Sequence, residues 1–146
     1  MAGFNAQDPN FAPRVRESFG LQRVMSTIGA ELTRVEPGEV DIELPFRDDL
    51  TQQDGFLHAG IVAVIADSAC GYAAYSLMPA EAAVLSIEFK LNLLAPAVGS
   101  RLIARSRVLR AGRTITVCRA DVSSVNAGAE KLVATMLGTL MSVGKV

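Results

Sequence analysis

At 146 residues and a formal net charge of −1, the chain fits one domain of ordinary size and carries no basic stripe of the kind that grips nucleic acid. Its single histidine and two cysteines, Cys70 and Cys118, have no zinc-site spacing, and no EF-hand, P-loop, GxGxxG or GxSxG pattern is present. The expectation is no metal, no cofactor, and two reduced, buried thiols.

The first residues lack a basic start, an apolar stretch and a small-residue cleavage site, so a cytoplasmic protein without a secretory signal is expected. Residues 1–28 read as an N-terminal helical segment. In NFAPRVRESFGLQRVMST (10–27), Phe11, Val15, Phe19, Leu21, Val24 and Met25 recur at helical spacing, with Gly20 as the break between two short helical pieces. In AELTRVEPGEVDIELPF (30–46), Leu32 and Val35, then Val40, Ile42 and Leu44, alternate on either side of EPGE, which predicts a hairpin. RDDLTQQDGF (47–56) is polar and aperiodic, a loop of the kind that often carries function.

A long apolar helix follows, expected over Gly60 to Met78. Asp67, Ser68, Gly71, Tyr72 and Tyr75, together with an Ala and Val bias, argue for a core helix and against a membrane span. Its opening stretch, HAGIVAVIADSAC (58–70), sets Asp67 nine residues after His58. An ionised carboxylate in apolar surroundings costs several kcal/mol unless paired, so Asp67 is either held by partners or kept for chemistry. The helix start at Ala59 and Gly60 offers unpaired backbone N–H groups and a positive dipole end, a site suited to a carbonyl oxygen. Helix rise puts that start roughly 10 Å from Asp67, too far for one chain to bring both to one substrate carbonyl.

Four alternating segments complete the chain: Val84 to Leu94, Arg101 to Ala111, Thr114 to Asn126 and Lys131 to Val143. PAVGS, RAGRT and NAGAEK separate them, each with a glycine able to take positive φ. The fold class is therefore α+β: a single domain over residues 1–146, with a curved antiparallel sheet wrapped around one long central helix.

The LHAG helix start, Asp67, the strand LSIEFKLNLLAPA (85–97) and the turn VLRAGRT (108–114) together resemble the hotdog-fold acyl-CoA thioesterases of the PaaI-like (phenylacetate-pathway) group, over residues 20–143. The resemblance implies an acyl-CoA substrate and a homodimer or homotetramer, a dimer of dimers, with its active site at the subunit interface. It maps the family's His-Gly-Gly onto His58-Ala59-Gly60, its helix acid onto Asp67, its loop amide onto Gln52 and its strand hydroxyl onto Ser86. Asp67, as general base or nucleophile, would come from the partner chain, while the Ala59 and Gly60 N–H groups polarise the thioester carbonyl. Gln52 would hold the carbonyl, the water or the leaving sulfur, and Ser86 would orient the water. His58, Gln52 and Gly60 would contact substrate, with the His58 ring mainly structural. Arg110 and Arg113 read as solvated turn residues, the competing reading being contact with coenzyme A phosphates. The alternative function is a non-catalytic acyl-CoA binding or sensing module. A dehydratase fits poorly, since the only histidine stands at a fixed offset from Asp67. Neither nucleic acid nor membrane is expected as a partner.

Overall fold

The helix expected after the polar loop forms as α3, Ala59–Tyr75, and the remaining elements are arranged to cover it. The computed structural model describes residues 3–145. Two short helices, α1 (Phe11–Leu21) and α2 (Arg23–Ile28), precede six strands: β1 (Glu31–Glu36), β2 (Glu39–Pro45), β3 (Ala82–Leu93), β4 (Arg101–Ala111), β5 (Ile115–Asn126) and β6 (Ala129–Gly144). They form one sheet in the order β1-β2-β4-β5-β6-β3, antiparallel throughout. No helix of the described residues is long and apolar enough to cross a membrane.

The sheet encloses α3 because α3 has no polar face to leave in water. Ile65, Ala66, Ala69 and Ala73 are fully buried in one core cluster with Ile42, Leu44, Leu102, Val122 and Met136 of the strands that pack on α3. The alternation in β2 does what its period requires: Val40, Ile42 and Leu44 are sealed in the core while the residues between them are partly exposed. The alanines of α3 let the strands approach closely.

Three local expectations need correction. The break between α1 and α2 falls at Gln22, not Gly20. Gln22 takes an extended backbone (φ −78°, ψ 94°) and its N–H bonds to Phe19, while Gly20 stays helical. Helix α3 ends at Tyr75 rather than Met78, because Ser76 Oγ turns back onto the Ala73 carbonyl at 2.6 Å and Pro79 disfavours helical backbone just before it. Finally, Gly99 and Gly128 have positive φ as expected, but Gly112 does not. Gly112 is needed for space instead, since a Cβ there would sit 2.6 Å from the Ile115 carbonyl oxygen.

Both cysteines are buried and free. Desolvation pushes the Cys70 thiol up to about 12 and raises that of Cys118 as well, which removes both as nucleophiles.

The N-terminal segment is held by one side chain. Arg14, on α1, donates to the carbonyls of Pro79 (2.7 Å), Met78 (2.8 Å) and Tyr75 (3.1 Å) at and just beyond the end of α3, where Tyr75 and Pro79 also accept the Met78 and Ala82 N–H groups. Its guanidinium lies 4.3 Å from the centre of the Tyr75 ring, and Nε approaches Asp8 Oδ2 at 3.1 Å as an ion pair not aligned for a hydrogen bond. Asp8 is itself buried. Arg14→Ala strips three charge-assisted bonds and leaves a buried carboxylate unpaired, a loss of about 2–4 kcal/mol. Thermal unfolding should show a fall in Tm of roughly 5–10 °C; a Tm within a degree of wild type would mean that Arg14 is not the anchor.

Candidate active site

Asp67 lies two turns into α3 and is half-buried rather than sealed. Ser86 Oγ donates to its Oδ1 at 2.7 Å, while Oδ2 has no protein partner among the described residues. The question posed by a carboxylate in an apolar helix is thus half answered: one oxygen is held and the other is left available.

Ser86 reaches Asp67 because of an irregularity in β3. Ser86 pairs with Leu140 and Glu88 with Thr139, so Ile87 is an extra residue. This bulge keeps Ser86 on the helix side and also places Phe89 there, opposite Gly138, whose missing Cβ faces Cys70. Strict alternation would have put Ser86 and Phe89 on opposite faces.

The start of α3 is organised differently. His58 is the N-cap, and its Nδ1 accepts the Gly60 N–H at 2.8 Å, which fixes the ring proton on Nε2. The expectation of two unpaired donors is corrected accordingly: Gly60 N–H is taken, and Ala59 N–H is the one without a partner among the described residues. Gly60 serves the imidazole by its small size, since a Cβ would stand 3.0 Å from Nδ1.

Gln52 belongs to this end of the helix. Its Oε1 accepts from the backbone N–H groups of Asp54 and Phe56, which folds the loop on itself and leaves the Nε2 hydrogens without a partner among the described residues. The loop is tied down by His58 N–H to Leu50 O (3.0 Å), Gln52 N–H to Phe56 O (2.8 Å) and Leu57 N–H to Ala97 O (3.0 Å). Arg110 and Arg113 are exposed, but only Arg113 is on the β4–β5 turn; Arg110 belongs to β4 and pairs with Val117.

Two cavities result, with no residue in common. The first, about 420 Å³, is lined by Gln52 and Ala59 and by apolar residues that include Leu93, Leu94 and Pro96. The second, about 260 Å³, contains Asp67 and Ser86 and is otherwise walled by Ser18, Gln22, Ser68, Gly71, Tyr72 and neighbours. The polar wall of this second cavity was not foreseen. Ser68 Oγ donates to Gln22 Oε1 at 3.3 Å, and the Ser18 and Tyr72 hydroxyls lie 3.3 Å apart. Gly71 sits within α3, where glycine costs about 1 kcal/mol relative to alanine, and a Cβ there would meet nothing within 4 Å. Within one chain, then, the structure brings Asp67 to Ser86 and Gln52 to Ala59, but leaves the two pairs apart.

One long helix wrapped by a six-stranded antiparallel sheet defines the hotdog fold. The thioesterase superfamily model matches residues 54–129, over half of the chain. A thioesterase family protein from Silicibacter pomeroyi is 50% identical with a TM-score of 0.91, the match covering 92% of this chain and 99% of that one. The 1,4-dihydroxy-2-naphthoyl-CoA hydrolase of Listeria monocytogenes is 29% identical over 98 residues, 67% of this chain and 77% of its own length. The PaaI protein from the phenylacetic acid degradation operon of E. coli shares the fold, with a TM-score of 0.83, 18% identity and coverage of 94% and 96%. The chain belongs to the thioesterase superfamily and is a thioester hydrolase.

The cap geometry has a direct test. His58→Ala should cost about 1 kcal/mol in urea unfolding, whereas His58→Asn, which keeps a short acceptor at the N-cap, should recover most of that loss. Equal losses in the two variants would show that the ring does not stabilise α3 through Nδ1.

Proposed function

We propose that the chain hydrolyses acyl-CoA thioesters at a site shared by two subunits, with Asp67 as general base or nucleophile. The observation that carries this reading is the separation of the two half-sites onto cavities with no common residue, at opposite ends of one free edge strand. β3 pairs with β6 alone and exposes Leu85, Ile87, Phe89 and Leu93, a long apolar edge that needs a cover. Its first residues line the Asp67 cavity and its last residue lines the Gln52 cavity. A second copy added antiparallel about a two-fold axis at the middle of β3 sets the beginning of one strand beside the end of the other. Each Gln52 and Ala59 then faces the partner subunit's Asp67 and Ser86.

In such a site the thioester oxygen accepts from Ala59 N–H, at the positive end of α3, and from Gln52 Nε2. Ser86 holds Asp67 Oδ1 and leaves Oδ2 to act. As a base, Asp67 takes a proton from water while the water oxygen bonds to the acyl carbon. The C–S bond then breaks, and the coenzyme A thiolate leaves with that proton. As a nucleophile, Asp67 forms an acyl anhydride as the thiolate departs, and water cleaves the anhydride in a second step. Label found in the Asp67 carboxylate after a single turnover in ¹⁸O-water identifies the nucleophile route, because water that opens the anhydride at the Asp67 carbonyl leaves its oxygen there. The Listeria relative, by its name a CoA thioester hydrolase, supports the choice of substrate class. Two chains, or two such pairs, complete the assembly, and the cytoplasm is the proposed compartment.

Asp67→Asn should lower kcat by at least ~10²-fold with little change in Tm, because an amide neither takes the proton nor attacks. Thiol release near the wild-type rate would remove Asp67 from the chemistry, whereas a wild type that binds acyl-CoA without releasing thiol would favour a binding or sensing module. The shared site is tested by co-refolding Asp67→Ala with Gln52→Ala in equal amounts. About half of the dimers are then mixed, each with one doubly lesioned site and one intact site, so activity should recover to roughly a quarter of wild type. Activity that stays at the level of the parents would place both residues in one chain's site.

A further inference from the structure

We infer that β3 admits a second copy of itself in one register only: the two-fold axis passes at Phe89, and Glu88 of each chain pairs there with the partner subunit's Lys90. This inference rests on the shared-site reading above and deepens it, by naming the residues that choose the partner strand and set the two half-sites face to face.

The charges come first. Along β3, Phe89 turns toward α3, opposite Gly138, while Glu88 and Lys90 on either side of it stand on the outer face of the sheet, opposite Thr139 and Leu137. Both are exposed. Thr139 Oγ1 donates to Glu88 Oε1 at 2.6 Å and Lys90 Nζ donates to Asn92 Oδ1 at 3.0 Å, but neither charge has an ion-pair partner among the described residues. Charges on an edge strand commonly keep other strands away. An acid and a base two residues apart do the reverse for one particular visitor. An antiparallel copy carries the same order backwards, so with Phe89 facing Phe89 each glutamate lies directly across from a lysine.

The same two residues exclude the neighbouring registers. A slip of one residue sets the apolar row of one strand against the outer face of the other. A slip of two keeps the faces but brings Glu88 against Glu88, or Lys90 against Lys90, at the axis, where like charges directly opposite destabilise a sheet.

The cavities point to the same register independently. Val84 and Ala83 line the Asp67 cavity, and Leu94 and Ala95 line the Gln52 cavity. Val84 and Leu94 each lie five residues from Phe89, and Ala83 and Ala95 each lie six. An axis at Phe89 therefore lays the wall of one half-site against the wall of the other, to within the one residue taken up by the bulge at Ile87. Half-exposed Leu85 and Leu93, four residues to either side, cover each other in the same way. A slip of two residues would slide the half-sites about 7 Å past one another.

Two measurements test the register. At low salt, Glu88→Lys and Lys90→Glu each set like charges across the interface at both ion-pair positions, and each should raise the dimer dissociation constant by about 10-fold or more in sedimentation equilibrium. Mixed in equal amounts, the two variants should associate to within about threefold of wild type, because the mixed dimer restores both pairs. Single cysteines then locate the axis. Directly opposed Cα atoms are about 4.5–5.5 Å apart, within disulfide reach, whereas a residue one place off the axis stands about 8 Å from its own copy. With oxidised glutathione, which is reduced to two thiols as the new S–S bond forms, Phe89→Cys should give a disulfide-linked dimer, and Glu88→Cys, Lys90→Cys and the wild type should not. Dissociation constants that ignore the charge reversals, a mixture no tighter than its parents, or a cross-link at Glu88→Cys, at Lys90→Cys or at none of the three would overturn the register. In that event the shared site still stands if wild-type activity per chain falls on dilution below the dissociation constant. A wild type that keeps its full activity per chain as a monomer would overturn the shared site and the register together.

Discussion

A helix without a polar face cannot lie on a surface, and most of this molecule follows from enclosing α3. The enclosure needs strands long enough to curve past a 17-residue helix, which is why β3, β5 and β6 run to 12, 12 and 16 residues. It also needs small residues where backbone meets backbone, supplied by Ala66, Ala69 and Ala73 on the helix and by Gly138 on β6. A curved open sheet still has two edges. β1 and β3 are those edges, and the β3 edge is where the enclosure is incomplete and where Asp67 finds room.

The same constraint accounts for how much could be read in advance. Hydrophobic period sees the enclosed elements well: β4 occupies Arg101–Ala111 as expected, and the hairpin around Pro37 and Gly38 forms with Gly38 at φ 77°. Ser86, mapped by resemblance as the hydroxyl that would orient a water, donates instead to Asp67 Oδ1 at 2.7 Å. What escaped the sequence depends on registers and contacts made by distant residues. The extra residue at Ile87 shows only against Ser86↔Leu140 and Glu88↔Thr139. The helix break at Gln22 arises from backbone geometry that glycine statistics do not encode. The capture of Gly60 N–H by His58 requires knowing which rotamer the imidazole adopts.

The candidate site gathers the places where local stability is given up. Gly71 weakens the middle of α3, Ala59 N–H and one face of the Gln52 amide are unpaired, and β3 leaves an apolar edge in water. Elsewhere the chain mostly follows its local rules, with Ala127 at φ 49° in the β5–β6 turn and the Ser106 hydroxyl, unpartnered among the described residues, as exceptions. Gly29 ends α2 in the left-handed conformation, and the Arg105–Glu130 pair is bidentate at 2.8 Å on each arm. Departures from local consistency that cluster around two small cavities are a signature of function rather than of poor packing.

Arg14 connects the anchor of the N-terminal segment to the chemistry at a distance. By satisfying the carbonyls at the end of α3 it fixes α1 across that helix end, and α1 in turn sets Ser18 against the Tyr72 hydroxyl and Gln22 against Ser68. The wall of the Asp67 cavity is therefore built from a segment outside the wrapped sheet and helix. Only its cavity-lining and exposed residues can change without disturbing the enclosure of α3, because Val15, Met25 and Ile28 of the same segment are sealed in the common core. The acid and its hydroxyl partner belong to the enclosed helix and the edge strand, whereas Ser18 and Gln22 on the cavity wall belong to the added N-terminal segment, so on one fold the two parts can vary separately.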